Sequence, residues 1–403
     1  MEMSVEASNI HISPRSTLIV KGPASARVLE GSVEVYGYSP GPKERVVVKP
    51  WRSLPLYSEA GAVVEVLLGE GGAAEVVEGC TIPQEWVEVA SRIGGRFRVM
   101  VIGGVDVGKT SLLTYLYNRL VSGGGIAVAD LDVGQSEICP PTTMGIATGI
   151  KPTTSLSALK PEAIYPYGYT SPTYSVRDSL RTARELASGI EELGRVLINT
   201  DGWIDQERAK NHKSQLIEIL KPSHVIFIGI DDHRGMEEAS AKVGAEVINI
   251  HEPKVVMRRD LDARRQIREM NYTRFLRGAR LVSTPRRWIK ITPLILDSLP
   301  IEDYLKTVIK EMENAAVEKA PLIEGLDMSE AELGILSYVN VQGRKAQGLA
   351  LFMGIDSKGF ARIYTPHQGP IQELRVGSLI LSANFKEVYT YQPPLEWDRN
   401  TTT

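Results

Sequence analysis

The spacing of apolar positions changes twice along the chain. Residues 1 to about 82 carry short β-branched runs, STLIV, SVEVYG and RVVVKP, separated by YSPGPKE and GEGGAAE. Near-alternation punctuated by Gly and Pro predicts the strands of a small β-sandwich. Near Gln84–Ile93 the pattern shifts, and EWVEVASRI reads as a short linking helix. FRVMVIGG then forms a continuous apolar run ending in glycines, which suits a strand buried on both faces. From there to about 300, strand candidates at 125–129, 195–199, 224–230 and 246–250 alternate with helix candidates at 110–121, 175–192, 206–220 and 262–276. That alternation predicts a parallel sheet covered by helices. A charged helical stretch, IEDYLKTVIKEMENAA, follows at 301–316. Strand-like pieces then return, LGILSYVNVQ, AQGLALFMGI, ARIYTP, SLILSANF and KEVYTY, and predict a second small β domain, with a barrel as one form. The expected fold class is α/β, with an amino-terminal β domain over 1–82, a central domain over 83–310 and a carboxyl-terminal β domain over 311–403.

Composition narrows this picture. With 403 residues, 43% apolar and 24% charged, the chain has material for a large core and excludes the disordered and fibrous classes. Cys80 and Cys139 are too few for a disulfide framework or an all-cysteine zinc site, so a reducing, cytoplasmic home is expected. MEMSVEASNI lacks an apolar signal core, no run nears the ~20 apolar residues of a membrane span, and WDRNTTT carries no lipidation motif, so no membrane role is expected. The net charge of −3 means that any polyanion site is local.

Candidate chemistry concentrates in the central region. Gly103-Gly104-Val105-Asp106-Val107-Gly108-Lys109-Thr110 fits the phosphate-binding pattern G-x-x-x-x-G-K-[ST], and Ser111 follows it. It leaves an apolar strand and opens the amphipathic stretch TSLLTYLYNRL, the context that gives the motif its meaning. Glycines let backbone N–H groups face phosphates, and the helix amino terminus favours anions. Lys109 would reach the β- and γ-phosphates of ATP, and Thr110 would offer its hydroxyl to Mg²⁺. The bland reading is a glycine turn with a surface lysine.

A second run, Ile126-Ala127-Val128-Ala129-Asp130-Leu131-Asp132-Val133-Gly134-Gln135, brings four apolar residues to an aspartate. Its strand end is expected beside the phosphate loop, where one carboxylate serves Mg²⁺ and the other orients a hydroxyl or accepts its proton. Both aspartates also fit a plain strand end. The segment VMRRDLDARRQIREMNYTRFLRGAR, 256–280, sets eight arginines against three acids. Arg264, Arg265 and Arg268 share a helical face, and guanidinium forks match phosphate oxygens. Such a segment serves as a lid over a nucleotide, as a nucleic-acid contact or as a solvated basic helix. Trp203, just past a strand candidate, can stack on a nucleobase or anchor a loop. No [NT]-K-x-D tetrad and no protein-kinase H-R-D or D-F-G motif occurs, which argues against Ras-like GTPases and protein kinases.

Taken together, GGVDVGKTS, ADLDVGQSEICPPTTMG, YPYGYTSP, INTDGW and RRDLDARRQIREMNYTRFLRG resemble, in the same order, the motifs of the polynucleotide 5′-hydroxyl kinases of RNA processing, most densely over 97–280. Eukaryotic relatives of that family work beside the tRNA splicing endonuclease, in pre-mRNA 3′-end cleavage or in ribosomal RNA maturation. The resemblance implies a three-domain plan with a central P-loop kinase domain. It also implies ATP and Mg²⁺ as cofactors, RNA with a 5′-hydroxyl end as acceptor (DNA left open), and RNA-processing proteins as partners. By the same resemblance Asp132 is the base and metal-shell residue, and Gln135 and Thr170 contact the acceptor strand. Thr170 lies in a clasp segment, Gly168 to Thr173, that departs from the family's G-S-T-T-P-G. Trp203 stacks on a base near the acceptor end. Arg259 and Arg264 are the catalytic lid pair, with Arg258 and Arg265 as one-residue alternatives, and Arg268 joins the substrate contacts. A catalytically silent, ATP-binding assembly subunit and a plain ATPase are the other readings.

Overall fold

The computed structural model describes residues 6–340 and 345–393. The first five residues, the end of LGILSYVNVQ and the terminal WDRNTTT lie outside the described residues. The chain forms two compact units. The first comprises Met1–Leu131, Ile146–Glu162 and Ala187–Ile267, and the second Asp132–Gly145, Ala163–Leu186 and Arg268–Thr403.

The first unit begins with seven strands: β1 (Glu6–Ile12), β2 (Ser16–Lys21), β3 (Ala24–Gly31), β4 (Arg45–Val48), β5 (Ser53–Ser58), β6 (Ala62–Leu68) and β7 (Ala73–Glu78). They form one sheet in the order β1-β6-β3-β4 and another in the order β5-β2-β7. Leu18, Val20, Leu54 and Leu56 of the smaller sheet share a core with Ala26, Val46, Val64 and Val66 of the larger. This is the predicted sandwich, and the alternation in β5 and β6 is the cause: every second side chain is buried. SVEVYG is not a strand. Tyr36 and Gly37 take positive φ angles of 47° and 77°, which reverse the chain, and only isolated bridges form there.

The central part of this unit contains α1 (Gln84–Arg92), β8 (Phe97–Gly103), α2 (Lys109–Leu120), β9 (Ile126–Asp130), most of β10 (Thr143–Gly149), the end of α3 (Val176–Ile190), β12 (Arg195–Asn199), α4 (Glu207–Leu220), β13 (His224–Ile228), α5 (Arg234–Val243), β14 (Glu246–Ile250) and the start of α6 (Leu261–Phe275), with β11 (Ala163–Pro166) and most of α3 in the second unit. The sheet order runs β10-β9-β12-β8-β13-β14, and β9, β12, β8, β13 and β14 are parallel. The α/β expectation holds, with strands as apolar as burial on both faces demands: all five residues of β9 are buried. β9 does not neighbour the strand that feeds the phosphate loop, because β12 lies between β9 and β8. Helix α5 escapes the pattern reading because its buried side is only Met236, Ala239 and Ser240.

The second unit adds β15 (Arg280–Pro285), β16 (Lys290–Pro293), α7 (Ile301–Asn314), β17 (Leu326–Asp327), β18 (Leu333–Val339), β19 (Gly348–Ile355), β20 (Phe360–Thr365), β21 (Glu373–Ser382) and β22 (Glu387–Thr390). Their sheet runs β15-β20-β19-β18-β21-β16, with β17 on β19 and β22 on β21. Its ends, β15 and β16, sit at opposite edges of this order, so the sheet is open rather than a barrel. The amphipathic α7 covers it, burying Tyr304, Leu305, Val308 and Met312 against Ile291, Ile335, Phe352 and Val376. Among the described residues no helix is long and apolar enough to cross a membrane.

Candidate functional site

The phosphate loop lies where the sequence places it. β8 ends at Gly103, where a Cβ would meet Val107 Cγ2 at 2.9 Å and the Ile228 carbonyl oxygen at 3.0 Å, so only glycine fits. Gly108 caps α2 with φ 94°, a left-handed conformation that costs glycine little. This turn aims the first N–H groups of α2, which have no partner within the helix, toward the loop. The Lys109 ammonium is buried and donates to the carbonyl oxygens of Gly103 (3.0 Å) and Gly104 (2.6 Å), so the cation is held over the loop it serves. Thr110 follows on the first turn of α2, and its carbonyl accepts from the Thr114 hydroxyl at 2.8 Å. Ser111 Oγ accepts from Tyr36 Oη at 3.2 Å, and the Asn118 side-chain amide donates to the Tyr36 carbonyl at 2.8 Å. The turn that replaced the SVEVYG strand therefore packs on α2.

The lid arginines separate into distinct roles. Asp106 Oδ1 accepts from Arg259 Nε at 2.9 Å and Nη2 at 2.5 Å. Asp106 Oδ2 accepts from the Arg259 backbone N–H at 2.9 Å and from Arg264 Nη2 at 3.1 Å. Burial alone would raise the Asp106 pKa, but Arg259 and Arg264 outweigh it and hold the carboxyl below the usual range. Arg258 instead is exposed and pairs with Glu252 at 3.4 Å, and Arg265 is exposed. The geometry thus joins Arg259 and Arg264 to Asp106 of the loop. Within the second unit, Arg268 forms a bidentate pair with Glu387, both contacts at 2.7 Å, and Tyr272 Oη donates to the same carboxylate at 2.9 Å. Of the expected face of Arg264, Arg265 and Arg268, Arg264 thus pairs with Asp106 and Arg268 with Glu387.

Asp130 is buried and accepts from Asn199 Nδ2 at 2.9 Å, a link between β9 and β12. Asp132, in the second unit, is half-buried, and its Oδ1 accepts from the N–H groups of Gly134 (3.1 Å) and Gln135 (2.9 Å). This Asx-type turn fixes the carboxylate's orientation. The Gln135 side chain donates to the Gly134 carbonyl at 3.0 Å. A Cβ on Gly134 would stand 2.7 Å from the Thr170 carbonyl oxygen, so glycine admits the clasp here. The structure thus brings Asp132, Gln135 and Thr170 into one neighbourhood of the second unit.

Trp203 follows β12, beside the phosphate loop. A Cβ on Gly202 would come within 2.8 Å of Val105 Cα and 2.9 Å of Val105 N. The Trp203 N–H donates to Asp201 Oδ1 at 2.9 Å, and Asp201 Oδ2 accepts from the wholly buried Lys213 ammonium at 2.5 Å. Burial would raise the Asp201 pKa, but Lys213 outweighs it and keeps the carboxyl ionised. His212 lies 5.7 Å from the Trp203 ring and Arg208 lies over it at 6.0 Å. The sequence reading missed Asp201 and Lys213. The aspartate stood in INTDGW as a flank of the tryptophan, and its lysine partner lies twelve residues away, which only α4 brings back.

Among the described residues no three His, Cys, Asp or Glu side chains gather as a metal site.

Comparison with known proteins agrees with this geometry. Residues 103–278 match the family model described as the mRNA cleavage and polyadenylation factor CLP1 P-loop. A polyribonucleotide 5′-hydroxyl-kinase of Thermococcus kodakarensis is 27% identical over 338 residues, covering 76% of this chain and 95% of that protein. A polyribonucleotide 5′-hydroxyl-kinase of Pyrococcus furiosus is also 27% identical, over 62% of this chain and 64% of its own length. The solved structure of a wild-type Clp1p–Pcf11p complex shares the fold with TM-score 0.70 at 14% identity, over 94% of this chain and 99% of that one. The loop and the strand order around it lie within the stretch that matches the CLP1 P-loop model, so residues 103–278 resemble a P-loop nucleotide-binding region.

Proposed function

We propose that the chain transfers the γ-phosphate of ATP to the 5′-hydroxyl end of RNA, with DNA left open as an acceptor. The observation that carries this reading is the intact loop with its lysine, threonine and two arginines drawn to Asp106. The kinase names of the archaeal relatives support it. Loop amides and Lys109 bind the β- and γ-phosphates, and Arg259 and Arg264 neutralise charge that develops on the transferring group. When bound at Thr110 and Asp132, Mg²⁺ supplies charge neutralisation on the phosphate oxygens. The acceptor hydroxyl oxygen forms a bond to the γ-phosphorus as the bond to the β–γ bridging oxygen breaks, ADP leaves, and the hydroxyl proton passes to Asp132. The transition state in such transfers is loose, so orientation by Asp132 matters more than its basicity. Gln135, Thr170 and Trp203 hold the acceptor strand. The division into a base-gripping region 1–82, a kinase region 83–310 and a β region 311–403 belongs to this reading.

The test is transfer of labelled γ-phosphate from ATP–Mg²⁺ to a short 5′-hydroxyl RNA, with its 5′-phosphorylated copy as control. Label is expected only on the hydroxyl strand, and Lys109→Ala should lower the rate by roughly 10³-fold or more, as loss of a main phosphate contact does. Asp132→Asn should also lower it. Retained turnover in Lys109→Ala would sink the assignment. ATP binding without transfer would favour an assembly subunit, and RNA-independent hydrolysis a plain ATPase.

A further inference from the structure

Asp106 is a non-glycine residue at φ 60°, inside the phosphate loop. Left-handed backbone costs an L-residue free energy that glycine avoids, so backbone geometry alone gives no reason for an aspartate here. What aspartate adds is its carboxylate, and both oxygens are spent on the lid. Oδ1 takes Arg259 Nε and Nη2, and Oδ2 takes the Arg259 N–H and Arg264 Nη2. The carboxylate is 6% exposed, while the two guanidinium side chains keep 16% and 27%. The acid is thus the covered end of the cluster and the arginines its solvent-facing end. The one carboxylate binds both guanidiniums, each of which carries a full positive charge. Repulsion between the two guanidiniums is offset at the same time.

We propose that Asp106 is the positioning residue of the lid, holding Arg259 and Arg264 against the phosphate loop so that their donors are oriented before phosphoryl transfer. This rests on the kinase reading above and adds to it a role for the loop's side chain. Donors fixed in advance need no reorganisation as charge develops, which is where such groups contribute most. The carboxylate acts through the arginines and does not touch the reacting atoms.

The test compares wild type with Asp106→Gly, Asp106→Asn, Arg259→Ala and the Asp106→Gly/Arg259→Ala pair. Asp106→Gly keeps the left-handed backbone accessible, so the variant should still fold, and its thermal midpoint is measured to show that it does. Its kcat should fall about 10- to 100-fold with ATP Kd changed less than about 3-fold, as for loss of oriented transition-state donors. Asp106→Asn should fall between the two. The paired variant should lose less than the product of the two single fold-losses, because Asp106 acts partly through Arg259, the remainder being the release of Arg264. Hydrogen exchange gives a reading that needs no turnover: the Arg259 amide, bound to Asp106, should lose protection in Asp106→Gly. Unchanged kcat in Asp106→Gly beside an impaired Arg259→Ala, additive losses in the pair, or unchanged Arg259 protection would each overturn the proposal. If wild type transfers no phosphate to the hydroxyl RNA, the kinase reading fails instead, and the exchange result still decides whether Asp106 holds the lid.

Discussion

At the scale of single residues, the loop after β12 depends on one buried ion pair. Lys213 is fully buried, and its side chain donates to Asp201 at 2.5 Å. Its neighbour His212 is buried as well. Burial first, and then the Lys213 charge, push its pKa down to about 3. The imidazole therefore stays neutral while packed near Trp203. The sign follows from linkage: in the unfolded chain this histidine takes a proton below about 6.5, whereas in the folded chain it resists until about 3. Its contribution to stability is present above about pH 6.5 and is lost as the pH falls toward 3, with a slope of up to ~1.4 kcal/mol per pH unit. In urea titrations from pH 7 to 4, His212→Gln should flatten the decline in unfolding free energy relative to wild type. Parallel curves for the two proteins would contradict this.

At the scale of elements, β12 is the strand on which the site turns. It lies between β9 and β8, and the peptide leaving it packs on the phosphate loop. Thr200 ties that exit to β8 through a 2.8 Å bond from its hydroxyl to the Val101 carbonyl. Gly202 is the tightest point, because Val105 backbone atoms fill the place of its Cβ. Gly202→Ala should push two backbones apart, destabilising the protein by ~1–3 kcal/mol and weakening ATP binding more than RNA binding. Isothermal titration beside thermal unfolding checks both, and ATP affinity equal to wild type would refute the packing argument. The helices are similarly explicable. α2 begins where Gly108 permits a left-handed cap, and α7 lies on its sheet because its apolar positions recur at helical spacing.

At the scale of the whole molecule, charge is the quantity that reaches across the chain. The net charge is −3, and the arginine-rich segment does not supply eight separate phosphate ligands. Arg259 and Arg264 are drawn to Asp106, Arg268 to Glu387, and Arg274 Nη1 donates to the Glu137 carbonyl at 3.3 Å. Acceptor binding therefore rests on a few charges. Its logarithmic affinity should fall with logarithmic salt concentration at a slope of roughly −1.5 to −3, the value for two to four phosphate contacts on a single strand. Fluorescence anisotropy with a 5′-hydroxyl RNA over 50–300 mM salt measures it. A slope steeper than about −5 would mean that the arginine segment binds as an open basic surface.

Much of this was legible in the linear chain because its causes are local. Period-two alternation marks β5 and β6, a doubly buried apolar run marks β8, and G-x-x-x-x-G-K-T marks the loop, since each demand acts within a few neighbouring residues. The same holds for the start of α2 after Gly108 and for the ordered motifs within the stretch 103–278 that matches the CLP1 P-loop model. Folding alone decided the insertion of β12 between β9 and β8, the open edge of the second unit's sheet, and the turn that replaced the SVEVYG strand. It also decided which arginines meet Asp106, which one meets Glu387, and that Lys213 closes on Asp201. Strand order and charge pairing join residues far apart in sequence, from 12 positions for Asp201–Lys213 to 158 for Asp106–Arg264, and no local pattern encodes the partner at that range.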